Sequence, residues 1–162
     1  MLAPRIEGAH FLDLYAGSGA VGIEALSRGA ERIVLVERAA GALKVLRANL
    51  ARLELREGIE IHAGTVSGFL RNQVESPKFD IVFLDPPYDA ASEYQSTLAR
   101  LGGDARGLLR PGAVVIAEHR RNQKLADSYA ELRCTRRLQQ GDAALSFYAV
   151  SDPNAPLHEG NE

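Results

Sequence analysis

The chain has 162 residues, of which 46% are hydrophobic and 25% charged, and its formal net charge is −2 at pH 7. This length and composition are typical of one soluble domain with a single core. The charge excludes a globally basic nucleic-acid binder, so any such surface would be local. The single cysteine, Cys134, cannot form an internal disulfide, and no apolar run is long enough to span a membrane. We therefore expect a cytoplasmic protein without a membrane segment.

The first predicted unit is a strand, a glycine loop and a helix. After an entry segment over residues 1–10, an apolar strand is predicted at Phe11–Tyr15, and a helix follows the loop and ends at Gly29. The loop, Ala16–Gly22, carries glycines in the spacing G-x-G-x-x-G. Glycine lets the backbone approach a ligand closely, and the N–H groups at the start of the helix point toward it. The unit predicts a nucleotide-type binding loop.

A second predicted strand, Ile33–Glu37, is apolar until its last residue. Glu37 lies 18 residues beyond Gly19, which matches the position of the acid that binds ribose hydroxyls in nucleotide-binding folds. The alternative is a strand-end acid that only begins a turn. An amphipathic helix is predicted next over residues 39–54, followed by a short strand over 58–62 and a short helix.

The fourth predicted strand ends in an acid, two prolines and an aromatic ring. Proline cannot donate to a sheet ladder and disfavours helix in the preceding residue, so the strand stops at Asp85. The carboxylate then lies at the sheet edge where ligands bind in open α/β folds. Asp85, the carbonyl of Pro86 and the ring of Tyr88 could hold a planar heterocycle by its exocyclic NH₂ while the ring stacks on it. The alternative is an acidic strand end before a Pro86-Pro87 turn, with Tyr88 half-buried.

A dense basic run, residues 119–124, follows a fifth strand predicted at 113–118. It would lie at the same sheet edge as Asp85, since the carboxyl ends of parallel strands share one edge. We interpret it either as a local RNA-binding surface or as a solvated charge run. A helix at 93–101 and a turn at 108–112 are predicted to precede the fifth strand.

Two further strands, predicted at residues 129–138 and 143–150, are joined by so short a connection that they must run antiparallel. With the preceding βα units they predict an α/β fold: a three-layer, doubly wound, mostly parallel seven-stranded sheet with one antiparallel strand, which is Rossmann-like. Residues 1–150 are predicted to form a single domain, and residues 151–162 a disordered tail. None of the four histidines has metal-ligand spacing, so no metal site is expected.

The glycine spacing also satisfies the fingerprint of nicotinamide dinucleotide enzymes, so both cofactor classes need weighing. Asp13 places a carboxylate at the mouth of the loop, where it would repel a pyrophosphate but attract the sulfonium and ammonium groups of S-adenosylmethionine. No residue pair suited to hydride transfer stands out, and a dehydrogenase has no need for the sequence Asp-Pro-Pro-Tyr. The residues favour S-adenosylmethionine.

Three stretches, Asp13–Gly19, Glu37 and Asp85–Tyr88, resemble the motifs of class I methyltransferases that act on amino groups. The longer phrase over residues 12–30 closely resembles the RsmD family, bacterial guanine-N2 methyltransferases of small-subunit ribosomal RNA, and the likeness extends to about Val150. The resemblance implies an enzyme that uses S-adenosylmethionine to methylate the exocyclic N2 amine of a guanine in 16S ribosomal RNA. The implied partner is ribosomal RNA or a small-subunit assembly particle, and we expect a monomer.

The resemblance also implies roles for individual residues. The catalytic residues would be Asp85, Pro86, Pro87 and Tyr88. The cofactor would lie against a larger set: Asp13, Tyr15, Gly17, Ser18, Gly19, Glu37, Arg38, Thr65, Val66 and Asp85. RNA would be contacted by the basic side chains Arg120, Arg121 and Lys124.

The chain departs from the family pattern at two places. The basic extension that usually begins family members does not precede residue 1, so we expect a chain truncated relative to the family. Thr65 stands where relatives often have Asp or Asn facing the adenine amino group; its hydroxyl would accept more weakly, with the Val66 N–H on a ring nitrogen. Two alternatives stay open: a DNA adenine or cytosine amino-methyltransferase, which would need a target-recognition insert after Tyr88, and an inactive fragment that binds S-adenosylmethionine or RNA.

Overall fold

Strands and helices alternate through most of the chain in the computed structural model, which describes residues 3–72, 78–87 and 91–151. The strands are β1 (His10–Asp13), β2 (Arg32–Glu37), β3 (Ile59–Ala63), β4 (Phe79–Leu84), β5 (Leu109–Arg120), β6 (Ser128–Tyr129), β7 (Leu132–Gln140) and β8 (Ala143–Val150). The helices are α1 (Ala3–Ile6), α2 (Ala20–Ser27), α3 (Ala40–Arg52), α4 (Val66–Arg71) and α5 (Ala91–Gly102), with a 3-10 turn at Arg106–Leu108.

All these strands belong to one sheet in the order β3-β2-β1-β4-β5-β8-β7-β6. Strands β1 to β5 run parallel, and β8 runs antiparallel to β5. The predicted mostly parallel, doubly wound α/β fold is confirmed. Strands β1 and β4 are neighbours in the centre of the sheet. From β1 the chain continues to β2 and β3 on one side, and it then returns to form β4 on the other side of β1. The crevice at the carboxyl ends of such a pair is where ligands bind in open α/β sheets.

The sheet has one strand more than the predicted seven. Ser128–Tyr129 forms the separate strand β6 and pairs antiparallel with Leu132 and Arg133 at the start of β7. The two residues between the strands form a tight turn in which Ala130 has a left-handed φ of 50°. The prediction of one continuous strand over 129–138 was wrong because nothing in this stretch, neither glycine nor proline, signals the turn.

Strand β5 begins earlier than predicted. Residues 109–112, predicted to belong to a turn, lie in the strand, because Leu109 pairs with Phe79 of β4. The ladder then shifts register. The shift falls where Pro111 lacks an N–H donor and Gly112 has a φ of 80°. The turn-like composition therefore marks a bulge within the strand rather than its start.

Strand β5 also ends later than predicted. It continues to Arg120, so the first two residues of the predicted basic run lie in the strand rather than beyond it. His119 and Arg120 pair with Ala144 and Ala143 of β8. The antiparallel neighbour extends the ladder past the point where the apolar pattern stops.

Both faces of the central parallel strands β1, β2 and β4 are buried. Leu12 and Val82 pack with α4 and α5 on one face, whereas Phe11 and Ile81 pack with α1, α2 and α3 on the other. Successive side chains of a strand point to opposite faces, so a parallel sheet covered on both sides requires nearly continuous apolar runs. Polar residues at the ends of these runs therefore mark where each strand leaves the core.

At the carboxyl end of the described chain, Ser151 donates its backbone N–H and its hydroxyl to the carbonyl oxygen of Glu131, at 2.9 and 3.1 Å. The remainder of the predicted tail, residues 152–162, lies outside the described residues. Within the three described ranges, no helix is long and apolar enough to cross a membrane.

Candidate active site

Two of the three acids predicted for the site lie at the carboxyl ends of the central strands. Asp13 is the last residue of β1 and pairs with Phe83, so this strand ends two residues before the predicted end at Tyr15, where the chain already turns into the glycine loop. Asp85 directly follows β4. The chain after β1 stays beside β4 for one more residue, since the Leu14 N–H donates to the carbonyl oxygen of Phe83 at 3.0 Å. The two acids therefore lie on either side of the crevice between β1 and β4.

The glycine loop after β1 turns back sharply toward the start of α2. Gly17 and Gly19 have φ values of 55° and 83°, a left-handed region that favours glycine. The N–H of Gly19 donates to the carbonyl oxygen of Ala16 at 2.8 Å, which closes the turn. A Cβ on Gly19 would lie 2.2 Å from Cδ1 of the buried Leu46 of α3. Both the backbone conformation and the packing therefore require glycine there.

Glu37, the predicted ribose-binding acid, holds the glycine loop against the end of β2. Its Oε2 accepts the N–H of Gly17 at 2.8 Å, and its Oε1 accepts those of Arg38 and Ala39 at 2.9 and 2.8 Å. A carboxylate oxygen has two lone pairs, so Oε2 keeps one that can accept from a hydroxyl group. The geometry is compatible with a ribose role, which stays a prediction.

Asp13 is an acid in an unusually unfavourable place for a negative charge. It is 1% exposed. Burial is the main reason that its pKa is raised to about 7. The Tyr15 N–H, which donates to Oδ1 at 3.2 Å, lowers the pKa. The negative charges of Asp85 and Glu37 raise it further. A cation in the crevice would reverse this balance, because it would favour the ionised carboxylate.

The raised pKa of Asp13 predicts a pH-dependent cost in stability. The native state holds the Asp13 proton between about pH 4 and 7 while the unfolded chain releases it, so the free energy of unfolding falls with rising pH in that window. We expect Asp13→Asn to raise the free energy of unfolding at pH 8 by up to about 4 kcal/mol, with little change near pH 4. Urea unfolding of both proteins at pH 4, 6 and 8 measures the free energy of unfolding. A difference between wild type and variant that does not change with pH would contradict the raised pKa of Asp13.

Tyr15 connects the glycine loop to α5. Its hydroxyl donates to Oε2 of Glu93 at 2.8 Å and lies 2.9 Å from Oγ1 of Thr97. Burial is the main reason that its pKa is raised well above the usual value, so the phenol is neutral. A contact of Tyr15 with a cofactor would use its ring or backbone, because the hydroxyl is engaged by the helix.

The other predicted cofactor residues follow the carboxyl ends of β1, β2 and β3, at the same edge of the sheet. Thr65 caps α4 by accepting the N–H of Gly68 at 3.0 Å, and Val66 behind it is buried. Ser18 and Arg38 are exposed. The side-chain NH₂ of Asn49 donates to the carbonyl oxygen of Ser18 at 3.0 Å, which ties α3 to the glycine loop.

Asp85 is exposed and faces a cavity of about 630 Å³ rather than the core. Partial burial, followed by the negative charge of Glu118, raises its pKa to about 6. The cavity is lined by Asp85, Tyr94, Glu118, His119, Arg120, Arg121, Asn122, Asp142 and Ala143. Pro86 is buried and Pro87 exposed, whereas Tyr88 lies outside the described residues. The structure therefore places the predicted acceptor beside a space large enough for a nucleobase.

Only some residues of the predicted basic surface are exposed. His119 is buried: its Nδ1 lies 2.9 Å from the carbonyl oxygen of Arg120, and its Nε2 lies 2.8 Å from the hydroxyl oxygen of Ser146. A carbonyl can only accept, so Nδ1 carries the hydrogen in this contact. Arg120 and Arg121 line the cavity, and Lys124 is exposed. The grouping of His119 with the exposed cations was wrong because β5 carries it into the sheet.

A second cavity, of about 780 Å³, lies on the α2 face of the sheet and is lined largely by apolar side chains, including Phe83, Val114 and Phe147. Neither Asp13 nor Asp85 lines it. The crevice between β1 and β4 therefore remains the candidate active site.

A sheet of this order, with an acid at the end of each central strand, defines the class I methyltransferase fold. The solved structure of YhhF from Escherichia coli, named as a candidate methyltransferase, superposes with a TM-score of 0.79 and 31% identity, covering 91% of this chain and 79% of that one. The class predicted from the sequence is confirmed.

The chain belongs to the family described as conserved hypothetical protein 95, whose model matches residues 1–149; this is the RsmD family of the sequence analysis. It is 32% identical over 149 residues to YlbH of Bacillus subtilis (strain 168), named as a candidate rRNA methyltransferase, covering 91% of this chain and 79% of that one. It is 33% identical over 127 residues to ribosomal RNA small subunit methyltransferase D of Haemophilus influenzae, covering 76% and 63%. The chain thus spans less than two thirds of the Haemophilus protein.

Proposed function

We propose that this protein is an S-adenosylmethionine-dependent methyltransferase that modifies the exocyclic N2 amine of a guanine in 16S ribosomal RNA. The observation that carries the proposal is the pair of acids, Asp13 and Asp85, at the carboxyl ends of adjacent strands. One suits a cationic methyl donor and the other an amine that receives the methyl group. The rRNA methyltransferases among the named relatives support ribosomal RNA as the substrate class.

The residues around the crevice suit the several parts of the methyl donor. Asp13 is a buried acid for which no cationic partner lies within the described part of the chain, and a cationic ligand would stabilise its charge. The glycines of the loop carry no side chain, so a ligand can approach the backbone closely. Glu37 retains an acceptor position for a ribose hydroxyl. Thr65 and Val66 would meet the adenine. When bound, S-adenosylmethionine supplies an electrophilic methyl group on its sulfonium.

The residues after β4 would prepare the amine to receive that methyl group. The N2 lone pair of guanine is delocalised into the ring, so the amine is a weak nucleophile. Asp85 and the Pro86 carbonyl would each accept one N–H, which orients the nitrogen toward the crevice, while Tyr88 stacks on the extruded base. The N–H becomes acidic only as the N–C bond forms. With a pKa raised to about 6, Asp85 is largely ionised at neutral pH and takes the released proton.

The substrate would approach from the β5 side of the crevice. Arg121 and Arg120 line the Asp85 cavity, and Lys124 follows on the exposed surface, so their charges would meet RNA phosphates near the target base. The partner would be ribosomal RNA or a small-subunit assembly particle, bound by a monomer. Such a substrate would place the protein in the cytoplasm.

Methyl transfer to small-subunit RNA tests the proposal directly. We expect labelled S-adenosylmethionine to modify unmethylated 16S RNA or the particle that contains it, and digestion to yield N2-methylguanosine. Methylated adenine or cytosine from a DNA substrate would instead support the DNA amino-methyltransferase. Binding of S-adenosylmethionine without transfer to either RNA substrate would support the inactive fragment and contradict the proposal.

A further inference from the structure

A second acid, Glu118, lies beside Asp85 at the rim of the same cavity. Strands β4 and β5 are parallel neighbours, and Leu84 pairs with Ala117 in their register, so the residues that follow are at the same level. Adjacent strands are about 4.8 Å apart, which brings the two acids within reach of one small ring. Both line the cavity of about 630 Å³.

The backbone that carries Glu118 is held firmly. Its carbonyl oxygen accepts the hydroxyl of Tyr94 at 2.6 Å, and its residue pairs with Leu145 of β8. The next residue, His119, is anchored through its ring to Ser146. A half-buried acid on so rigid a support projects its carboxylate from a defined point.

The carboxylate of Glu118 has no structural partner within the part of the chain that the structure describes. Across residues 3–72, 78–87 and 91–151, it accepts no hydrogen bond and forms no ion pair. Its negative charge contributes to the raised pKa of Asp85. A purely structural acid would be expected to find a donor, whereas Glu118 lines the cavity with no donor for its carboxylate among the described residues.

The chemistry of guanine matches two acceptors placed side by side. Its Watson–Crick edge presents the N1–H next to the N2 amine, so two adjacent donors face outward. Adenine and cytosine present a ring-nitrogen acceptor at the corresponding position, and its lone pair would oppose a carboxylate. A site that hydrogen-bonds a donor rejects analogues that lack it, because its own polar group is then left unpaired.

We propose that Glu118 is the base-selecting residue of the site: its carboxylate accepts the N1–H of guanine while Asp85 accepts an N–H of the neighbouring amine. The inference rests on the proposed function and adds the residue that sets its specificity. It assigns selection of the base and activation of the amine to different strands, β5 and β4.

The test compares guanine with 2-aminopurine at the target position of the RNA. 2-Aminopurine keeps the exocyclic amine but has a lone pair instead of a hydrogen on N1. We expect wild-type protein to prefer guanine strongly in kcat/KM. Glu118→Gln places an amide of the same shape there, whose NH₂ can donate to that lone pair, so the preference should fall at least about tenfold. Asp142→Asn, a change of another acid at the same cavity, should keep the wild-type ratio.

The outcomes separate the two proposals. Wild-type protein that transfers methyl groups to neither substrate refutes the proposed function. Transfer by wild type, with both substrates losing activity equally in Glu118→Gln, overturns the role of Glu118, because a structural defect scales both rates. Glu118→Ala, which can neither accept nor donate, provides a second variant and should also lower the ratio. Binding of S-adenosylmethionine checks that each variant is folded.

Discussion

Asp85→Ala is expected to lower the rate of methyl transfer by about 10²–10⁴-fold while leaving the affinity for S-adenosylmethionine nearly unchanged. The side chain is exposed at the cavity rather than packed in the core, so its loss removes few contacts. What disappears is the acceptor that orients the amine and takes its proton. Asp85→Asn should be similarly impaired, because the amide keeps the shape but loses the charge and most of the basicity.

Two measurements separate this role from a general defect. Calorimetric titration with S-adenosylmethionine reports cofactor affinity, and single-turnover transfer to 16S RNA reports the chemical step. Glu57→Ala, which removes an exposed acid before β3, is the matched control and should leave both unchanged. Equal losses of cofactor affinity and transfer rate in Asp85→Ala would contradict the proposed role of Asp85 as the acceptor of the amine.

Gly19→Val is expected to do the reverse and abolish cofactor binding. The residue sits at a φ of 83°, and its first side-chain carbon would lie 2.2 Å from Cδ1 of Leu46, which is fully buried. Left-handed strain and repacking of the core together should lower the free energy of unfolding by roughly 2–5 kcal/mol. Either the loop shifts toward the crevice or α3 moves, and both changes would disrupt the loop conformation that we expect to bind the cofactor.

The chain offers matched glycines for this experiment. Gly41→Val makes the same substitution at an exposed position of α3 with open space around it, and should change neither stability by more than about 1 kcal/mol nor binding. Gly17→Ala has a φ of 55° but meets no atom within 4 Å, so it should fold with weaker cofactor binding even if Gly19→Val unfolds. Wild-type cofactor affinity in a folded Gly19→Val variant would exclude this loop as the cofactor site.

Parts of the site follow from local pattern alone. A glycine loop between a strand and a helix requires the conformations seen at Gly17 and Gly19, and the two prolines after Asp85 end β4. Because parallel strands present their carboxyl ends at one edge, the position of Asp85 in the sequence was enough to place it at that edge. Asp13 was expected within the first strand, and the structure shows that it ends the strand.

Other contacts could not be foreseen. Asn49 bonds the carbonyl of Ser18 across 31 positions, and the buried partner of His119 is Ser146 on the last strand. Neither pair has any periodic signature, since it depends on which elements become neighbours. The split of β6 from β7 was missed for a related reason: the turn rests on a non-glycine residue, Ala130, held by its surroundings.

By itself, the sequence determined the class of fold, the glycine loop and the acid that follows β4, because apolar periodicity and the limits of proline and glycine act within a few residues. The tertiary structure alone decided that Glu118 stands next to Asp85 and that Asp13 is too deeply buried to ionise readily. Those facts depend on strand order, register and the exclusion of water, which arise only when distant segments pack together.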